Sequence, residues 1–470
     1  MDINKIKKAH LIGIKGVGMT MLAQYLAARG IGISGSDGPE KFMTDPVLEK
    51  IGIAVKEKFQ PDNIPAEADL IVYSTAYKPE TNPELAAALA GRARVLSLPE
   101  AIAQIFNQKY GLAVAGSHGK TTTTAWLAYV LKQAGFDPNA MIGAYVPQLS
   151  GFSLVGASDY LILELDEYQN KFRFFQPRAL LLNNIDWDHP DFFPTPASYE
   201  AVFIALIKKI PKSGFLIANF DDPKIRKYAR ANCPGRVVSY GLSESADYRA
   251  EQIRFDQSGQ YFQVKYSPAE ADGQAEDLGS FFINLSGRHN IANALAVIAA
   301  AVELEVPLAK IRAAVGEFSG PARRLQLLGE FNGAAVIDDY AHHPSEIAAT
   351  ICGLRERYPG KRLLVVFHPH TFSRTKALLA DFAASLSAAD QIAVLDIYGS
   401  AREQQGGVHS ADLVGLINEK KRERGEAETA QYLPAQAQAE QWLRAQAGAG
   451  DVVTLMGAGD VFRIGERLLI

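Results

Sequence analysis

Residues 116–124 read GSHGKTTTT and follow directly on the apolar run GLAVA at 111–115. Glycine, lysine and hydroxyl side chains between a buried strand and a helix are the parts of a phosphate-binding loop. Backbone N–H groups and the dipole at a helix start attract an anion. Lys120 can then neutralise β and γ oxygens, and the Thr121 hydroxyl can reach Mg2+. The strict pattern G-x-x-x-x-G-K-[ST] would put its first glycine at position 114, but the chain has Val114 there and its nearest glycine is Gly116. An incidental lysine behind a helix cap is the plainer alternative. The strand-to-helix position of Gly119, Lys120 and Thr121 favours the nucleotide.

Other chemistry-bearing residues also stand just past apolar runs. In LILELDE at 161–167, Glu164 is the first acid after the strand and can reach a metal beside the loop. Asp166 and Glu167 read equally as metal-side groups or as a solvated turn. The run NNIDWDHPD at 183–191 gathers aspartates around His189, a set suited to a hard metal or a phosphate. Near the start, GIKGVGM at 13–19 lets Gly16 and Gly18 bring backbone amides to a diphosphate, and Asp37 can accept from a ribose or uracil. The turn is not G-x-G-x-x-G, because Met21 stands where the third glycine would be. A nicotinamide dehydrogenase is thereby disfavoured. Late in the chain, DDYAHHP at 338–344 and FHPHTFSRT at 367–375 each follow a strand, where a carboxylate or a transferred phosphate would be held. Surface histidines without a role are the bland reading of each.

Positioning such loops takes parallel sheets whose strands all end on one side. Apolar strands alternate with helical patterns in three successive stretches, which predicts an α/β protein of three domains at 1–108, 109–320 and 321–470. Helices are expected near 19–29, 99–110, 122–134 and 289–302, and an antiparallel-like patch near 248–282. Gly320 and Pro321 suggest a hinge. With 470 residues, 48% apolar and 21% charged, the composition is that of a soluble globular protein. A net charge of −4 gives no argument for nucleic acid or for an anionic membrane. The two cysteines, Cys233 and Cys352, have neither disulfide nor zinc-site spacing. No apolar run reaches the ~18–20 residues of a bilayer span, and no signal-peptide core is present. A cytoplasmic location is expected.

Taken together, these motifs resemble the Mur ligase family, ATP-dependent ligases that build the peptide stem of peptidoglycan. The resemblance spans the whole chain and rests on Gly16–Met19, Gly35–Asp37, the short loop Gly116–Thr124, Glu164–Tyr168 with Phe172, Asn184–Asp191, Gly287–Asn290 with Asn293, Asp338–Pro344, Pro369–Thr375 and Met456–Asp460. It implies a Rossmann-like UDP-sugar-binding domain, a central P-loop ATPase-like domain and a Rossmann-like C-terminal domain that binds the amino acid. The likeness is greatest to the branch that joins L-alanine to the lactyl carboxylate of UDP-N-acetylmuramate through an acyl phosphate.

On that resemblance, Gly16, Val17, Gly18 and Met19 cradle the UDP diphosphate, with Asp37, Ser74, Thr75 and Ala76 nearby. Gly116, Ser117, His118, Gly119, Lys120, Thr121 and Thr122 hold the ATP phosphates. Thr121 and Glu164 share one Mg2+ (or Mn2+), and His189 holds a second. His289 and Asn293 contact adenine, and Arg324 the γ-phosphate. Tyr340, His342, His370 and Arg374 surround L-alanine and the reacting carboxylate. The partners implied are small molecules, with no nucleic acid and no membrane insertion, and a monomer or homodimer.

The chain departs from the family in places. Several members carry a carbamylated lysine about fifteen residues after the metal-binding histidine, where this chain has Ile204, with Lys208 and Lys209 the nearest lysines. Thr371 replaces an arginine found in some members, and His368 a glutamine. Two other readings stay open: a ligase that attaches a pre-made tripeptide to the same sugar nucleotide in cell-wall recycling, and a nucleotide-regulated binding protein without ligase chemistry.

Overall fold

In the computed structural model, residues 5–256, 258–268, 275–399 and 406–470 are described. Three sheets follow one another along the chain. The first contains β1 (Lys8–Ile12), β2 (Gly32–Ser36), β3 (Leu70–Tyr73) and β4 (Arg94–Ser97), ordered β2-β1-β3-β4 and all parallel.

The second sheet has ten strands: β5 (Tyr110–Ala115), β6 (Asn139–Val146), β7 (Gly151–Leu154), β8 (Tyr160–Glu164), β9 (Ala179–Leu182), β10 (Phe215–Asn219), β11 (Arg236–Gly241), β12 (Tyr248–Phe255), β13 (Gln260–Tyr266) and β14 (Glu276–Ile283). Their order is β14-β13-β12-β11-β10-β9-β5-β8-β6-β7, which puts β5 between two strands that carry acids or asparagines at their ends. The antiparallel patch is real, with β12, β13 and β14 pairing antiparallel. The antiparallel β6–β7 pair at the other edge was not foreseen.

The third sheet orders β15 (Gln326–Phe331), β16 (Ala334–Asp339), β20 (Asp451–Met456), β17 (Arg362–Phe367), β18 (Gln391–Val394) and β19 (Ala430–Tyr432). It is parallel except for β15.

The strand facing each loop is apolar because helices cover both sheet faces. Leu112–Ala115 are fully buried, as are Ala294–Ala301 in the helix Arg288–Glu303 that packs beside the helix Lys120–Gln133. The helix expected to run to Tyr110 is shorter, Leu98–Phe106. Ser97 and Glu100 form a capping box at its start, and Tyr110 already belongs to β5. Among the described residues no helix is long and apolar enough to cross a membrane.

Two seams join the sheets. At the first, the helix Val17–Ala28 lies on β6 and β7. The Phe152 N–H donates to Gln24 Oε1 (2.9 Å), Ser153 Oγ to the Met21 carbonyl (2.7 Å), and the Arg29 guanidinium to Asn139 Oδ1 (2.8 Å). At the second, Ser345 Oγ donates to Asp186 (2.6 Å) and Arg374 forks onto Asp188 at 2.8 and 3.1 Å. Between the units of that seam, Gly320 takes a left-handed φ of 91° and the Ala322 N–H is tied to the Tyr145 carbonyl.

Candidate active site

The phosphate loop turns between β5 and the helix Lys120–Gln133 with Gly116 at φ 142° and Gly119 at φ 76°. A Cβ on Gly119 would sit 2.8 Å from Asn293 Oδ1, and one on Gly116 3.1 Å from the Asn184 backbone. The loop therefore needs glycine at both bends, on conformational and steric grounds. Lys120 Nζ folds over the loop onto the carbonyls of Gly116 (2.6 Å) and Ser117 (3.1 Å) and pairs with Glu167 at 3.1 Å. Burial works against its charge, but Glu167, Asp166 and Glu164 outweigh that and raise its pKa. Thr122 lines the cavity on the other side of the loop.

Two sets of metal donors flank Lys120. Thr121 Oγ1 donates to Glu164 Oε1 (2.9 Å), and the other Glu164 oxygen accepts the Gly143 N–H (2.8 Å). Opposite, His189, Glu167 and Asp166 bring one donor atom each within 4.8 Å of one another. Asp166 is ion-paired with Lys171. Buried Glu167 also accepts from Tyr199 Oη (2.9 Å), which contacts Ser117 Oγ at 2.8 Å. Carboxylates, a hydroxyl and one imidazole fit a hard divalent cation such as Mg2+ or Mn2+. Carboxylates gathered beside Lys120 and Lys171 need such a countercharge once phosphates arrive. Lys209 gives no substitute for the family's bridging lysine, because its Nζ is tied to the carbonyls of Phe172, Arg173 and Phe175.

The C-terminal wall faces this loop. Arg324 lies over the Tyr340 ring (5.0 Å) and 3.7 Å from Glu346. His342 Nδ1 is 3.0 Å from the Tyr340 carbonyl, which can only accept. That contact assigns the proton to Nδ1 and leaves the Nε2 lone pair free. Burial drives the His342 pKa down to about 3, so the ring is neutral. The rings of His342 and His370 stand edge-on at 6.3 Å, and His370 stacks on Tyr398. Arg374 was expected at the amino acid, but its buried guanidinium is engaged by Asp188 across the seam. Burial resists charge on Asp188, yet Arg374 holds its pKa well below the usual carboxylate value.

A crevice of about 660 Å3 connects this centre to the N-terminal turn, where Gly16, Val17, Gly18, Ser74 and Thr75 line it together with Lys120, Thr121, Glu164, His189, Arg324, Tyr340 and His342. Met19 points into the core instead, and Ala76 is exposed outside the wall. Asp37 is buried and already accepts from the Lys15 N–H (2.7 Å) and Tyr77 Oη (3.0 Å), so it shapes the turn. A second cavity of about 240 Å3 lies behind the phosphate loop, lined by Gly119, Thr122, His289, Asn293 and Arg324. There burial, then Arg324, lowers the His289 pKa to about 4 and leaves a neutral ring.

Asp188 and Glu346 were not singled out by sequence reasoning, and Glu167 was left undecided. Glu167 stood in a quoted motif with a metal-side reading left open, Asp188 stood in another without a role, and Glu346 lies four residues after His342, in the first turn of the helix that His343 caps.

Family models match along the chain: the Mur ligase family catalytic domain at residues 8–110, the Mur ligase middle domain at 114–301 and the Mur ligase glutamate ligase domain at 323–459. A UDP-N-acetylmuramate–L-alanine ligase of Desulfitobacterium hafniense is 38% identical, covering 98% of this chain and 99% of its own. The crystal structure of a UDP-N-acetylmuramate-alanine ligase from Thermotoga maritima superposes with TM-score 0.80 at 25% identity, over 98% of both chains. A murein peptide ligase from Psychrobacter arcticus follows at TM-score 0.71 and 26% identity, over 98% of both chains. With relatives this similar over their full length, the chain belongs to the Mur ligase family.

Proposed function

We propose that the chain joins L-alanine to the lactyl carboxylate of UDP-N-acetylmuramate, driven by ATP, in peptidoglycan precursor synthesis. The observation that carries this reading is the single crevice touched by all three units, with the glycine turn at one end, Lys120 in the middle and Arg324 with His342 opposite. The sugar nucleotide's diphosphate lies at Gly16–Gly18 and its lactyl carboxylate reaches the centre. ATP binds the loop Gly116–Thr122, with adenine in the cavity beside His289 and Asn293 and its γ-phosphate toward Lys120 and Arg324.

A carboxylate oxygen attacks the γ-phosphorus and ADP leaves, giving an acyl phosphate. Lys120 and Arg324 offset the repulsion between the two anions as that bond forms. Mg2+ or Mn2+, held by Thr121 and Glu164 on one side and by His189 with Glu167 on the other, supplies the remaining countercharge on the phosphates. The amine of L-alanine then attacks the carbonyl, phosphate departs, and the nitrogen loses a proton. His342 Nε2, with its lone pair open, takes that proton only in passing, because burial disfavours the charged ring, and hands it to the departing phosphate; Tyr340 and His370 complete the amino-acid pocket.

Phosphate release from UDP-N-acetylmuramate, ATP and Mg2+ across all amino acids tests the reading. Turnover is expected with L-alanine, and release only with another amino acid would overturn it. The likeness to the murein peptide ligase favours one second reading, a tripeptide as the amine donor. Substituting L-Ala-γ-D-Glu-meso-diaminopimelate for L-alanine separates the two.

A further inference from the structure

Glu346 sits in the first turn of the helix Pro344–Arg357, one-tenth exposed, and its two oxygens face different units. Oε1 meets His118 Nδ1 of the phosphate loop at 3.3 Å and Arg324 at 3.7 Å. Oε2 accepts the His342 backbone N–H at 3.0 Å and lies 3.2 Å from His342 Nδ1. On its far side, His118 Nε2 meets Asp186 at 3.1 Å, and its ring packs on His343 at 4.7 Å. One carboxylate thus joins the loop that holds ATP, the arginine placed at the γ-phosphate and the base. A plain helix-start acid would serve the dipole alone and would have no reason to contact the other unit.

We propose that Glu346 and His118 form a positioning pair that sets the phosphate loop in register with Arg324 and His342, so that phosphoryl transfer and amine attack occur in one aligned site. Both act through other residues, Glu346 through Arg324 and His342 and His118 through the loop that carries Lys120. The pair acts because Arg324 and His342 belong to one rigid unit and Lys120 to another, and displacement by an ångström or so at such a junction costs about a hundredfold in rate. Its ionisation agrees with this role. Burial opposes charge on both, yet His342, His118 and Arg324 hold Glu346 well below the usual carboxylate pKa, and Asp186 with Glu346 raises His118 to about 9.

The proposal rests on the ligase reading above, and the wild-type enzyme tests that reading first by making the L-alanyl product. Full-length Glu346→Gln and His118→Asn are then assayed for kcat, for KM of ATP and of UDP-N-acetylmuramate, and for phosphate released per amide formed. The expected result is a kcat at least about tenfold lower in each, with both KM values within about threefold of wild type. Phosphate per amide should rise above one, as misaligned acyl phosphate is lost to water. The double variant should be no slower than the slower single one, because the two act as a unit. If Glu346→Gln loses its cooperative melt, His118→Asn decides, since it breaks the same contact from the other side. Unchanged kcat in the folded variants, multiplicative losses in the double variant, or a fall explained by KM for ATP would each overturn the pairing.

Discussion

The two seams of the molecule are built from different chemistry. Where the N-terminal unit meets the central one, Gln24, Met21 and Arg29 bond to a backbone N–H, a serine hydroxyl and an asparagine amide, and a Cβ on Gly151 would strike Gln24 at 2.7 Å. Such contacts keep a fixed geometry and change little with pH. Where the central unit meets the C-terminal one, the contacts beside the crevice are Asp188 with Arg374, Asp186 with Ser345, and His118 with Glu346, in addition to the bonds of Ala322 with Tyr145 and Arg357 with Ser286. The first three place charges beside the crevice, and an arriving triphosphate competes for the same cations. The contrast separates the seams: the first fixes the N-terminal glycine turn at a set distance from Lys120, and the second is built on charges that an arriving anion would disturb.

The sharpest way to break the comparison is Asp188→Ala, which leaves the buried Arg374 guanidinium without its carboxylate. Removing one partner of a buried pair costs about 3–5 kcal/mol. Limited proteolysis should then release the C-terminal unit early while the N-terminal and central units stay joined. Equal protection of both seams would erase the distinction.

A pH series has the next largest expected effect. His118 is raised from 6.5 to about 9 in the folded protein, so its contribution is fully present below pH 6.5 and is lost as pH rises toward 9. The carboxylates of Asp186 and Glu346 and the ring of His343 face it. Thermal melts should therefore lose stability over that window, and the slope should flatten in His118→Asn. An unchanged slope in that variant would remove His118 as the cause.

The smallest effect belongs to the first seam. Gln24→Ala removes one neutral hydrogen bond and should cost about 1 kcal/mol. Melts from pH 6.5 to 9 should show that loss as constant, and KM for UDP-N-acetylmuramate should rise more than kcat falls. A pH-dependent loss would mean that this seam, too, senses charge.

Much of the site was legible because its parts are local. Gly116, Gly119, Lys120 and Thr121 lie on one turn, and only glycine fits the left-handed bends there. Glu164 ends one strand that flanks β5 and His189 follows the other, so period and position alone place them near the loop. The edge pair β6–β7 escaped notice because its apolar residues do not alternate cleanly. The pairing of Arg374 with Asp188 was not legible for a different reason, since an arginine's partner is set by whichever carboxylate docks against it.

The sequence alone determined three α/β units, a shortened phosphate loop and an acid-and-histidine centre, since each is written in neighbouring residues and strand-to-helix periods. Only the tertiary structure decided that Arg374 answers Asp188 across 186 positions, that Ser345 answers Asp186 across 159, and that Glu346 links His118 to Arg324 and His342. Those pairings depend on how two separately folded bodies dock. Docking is set by the shape and charge of whole surfaces, which no local pattern of residues contains.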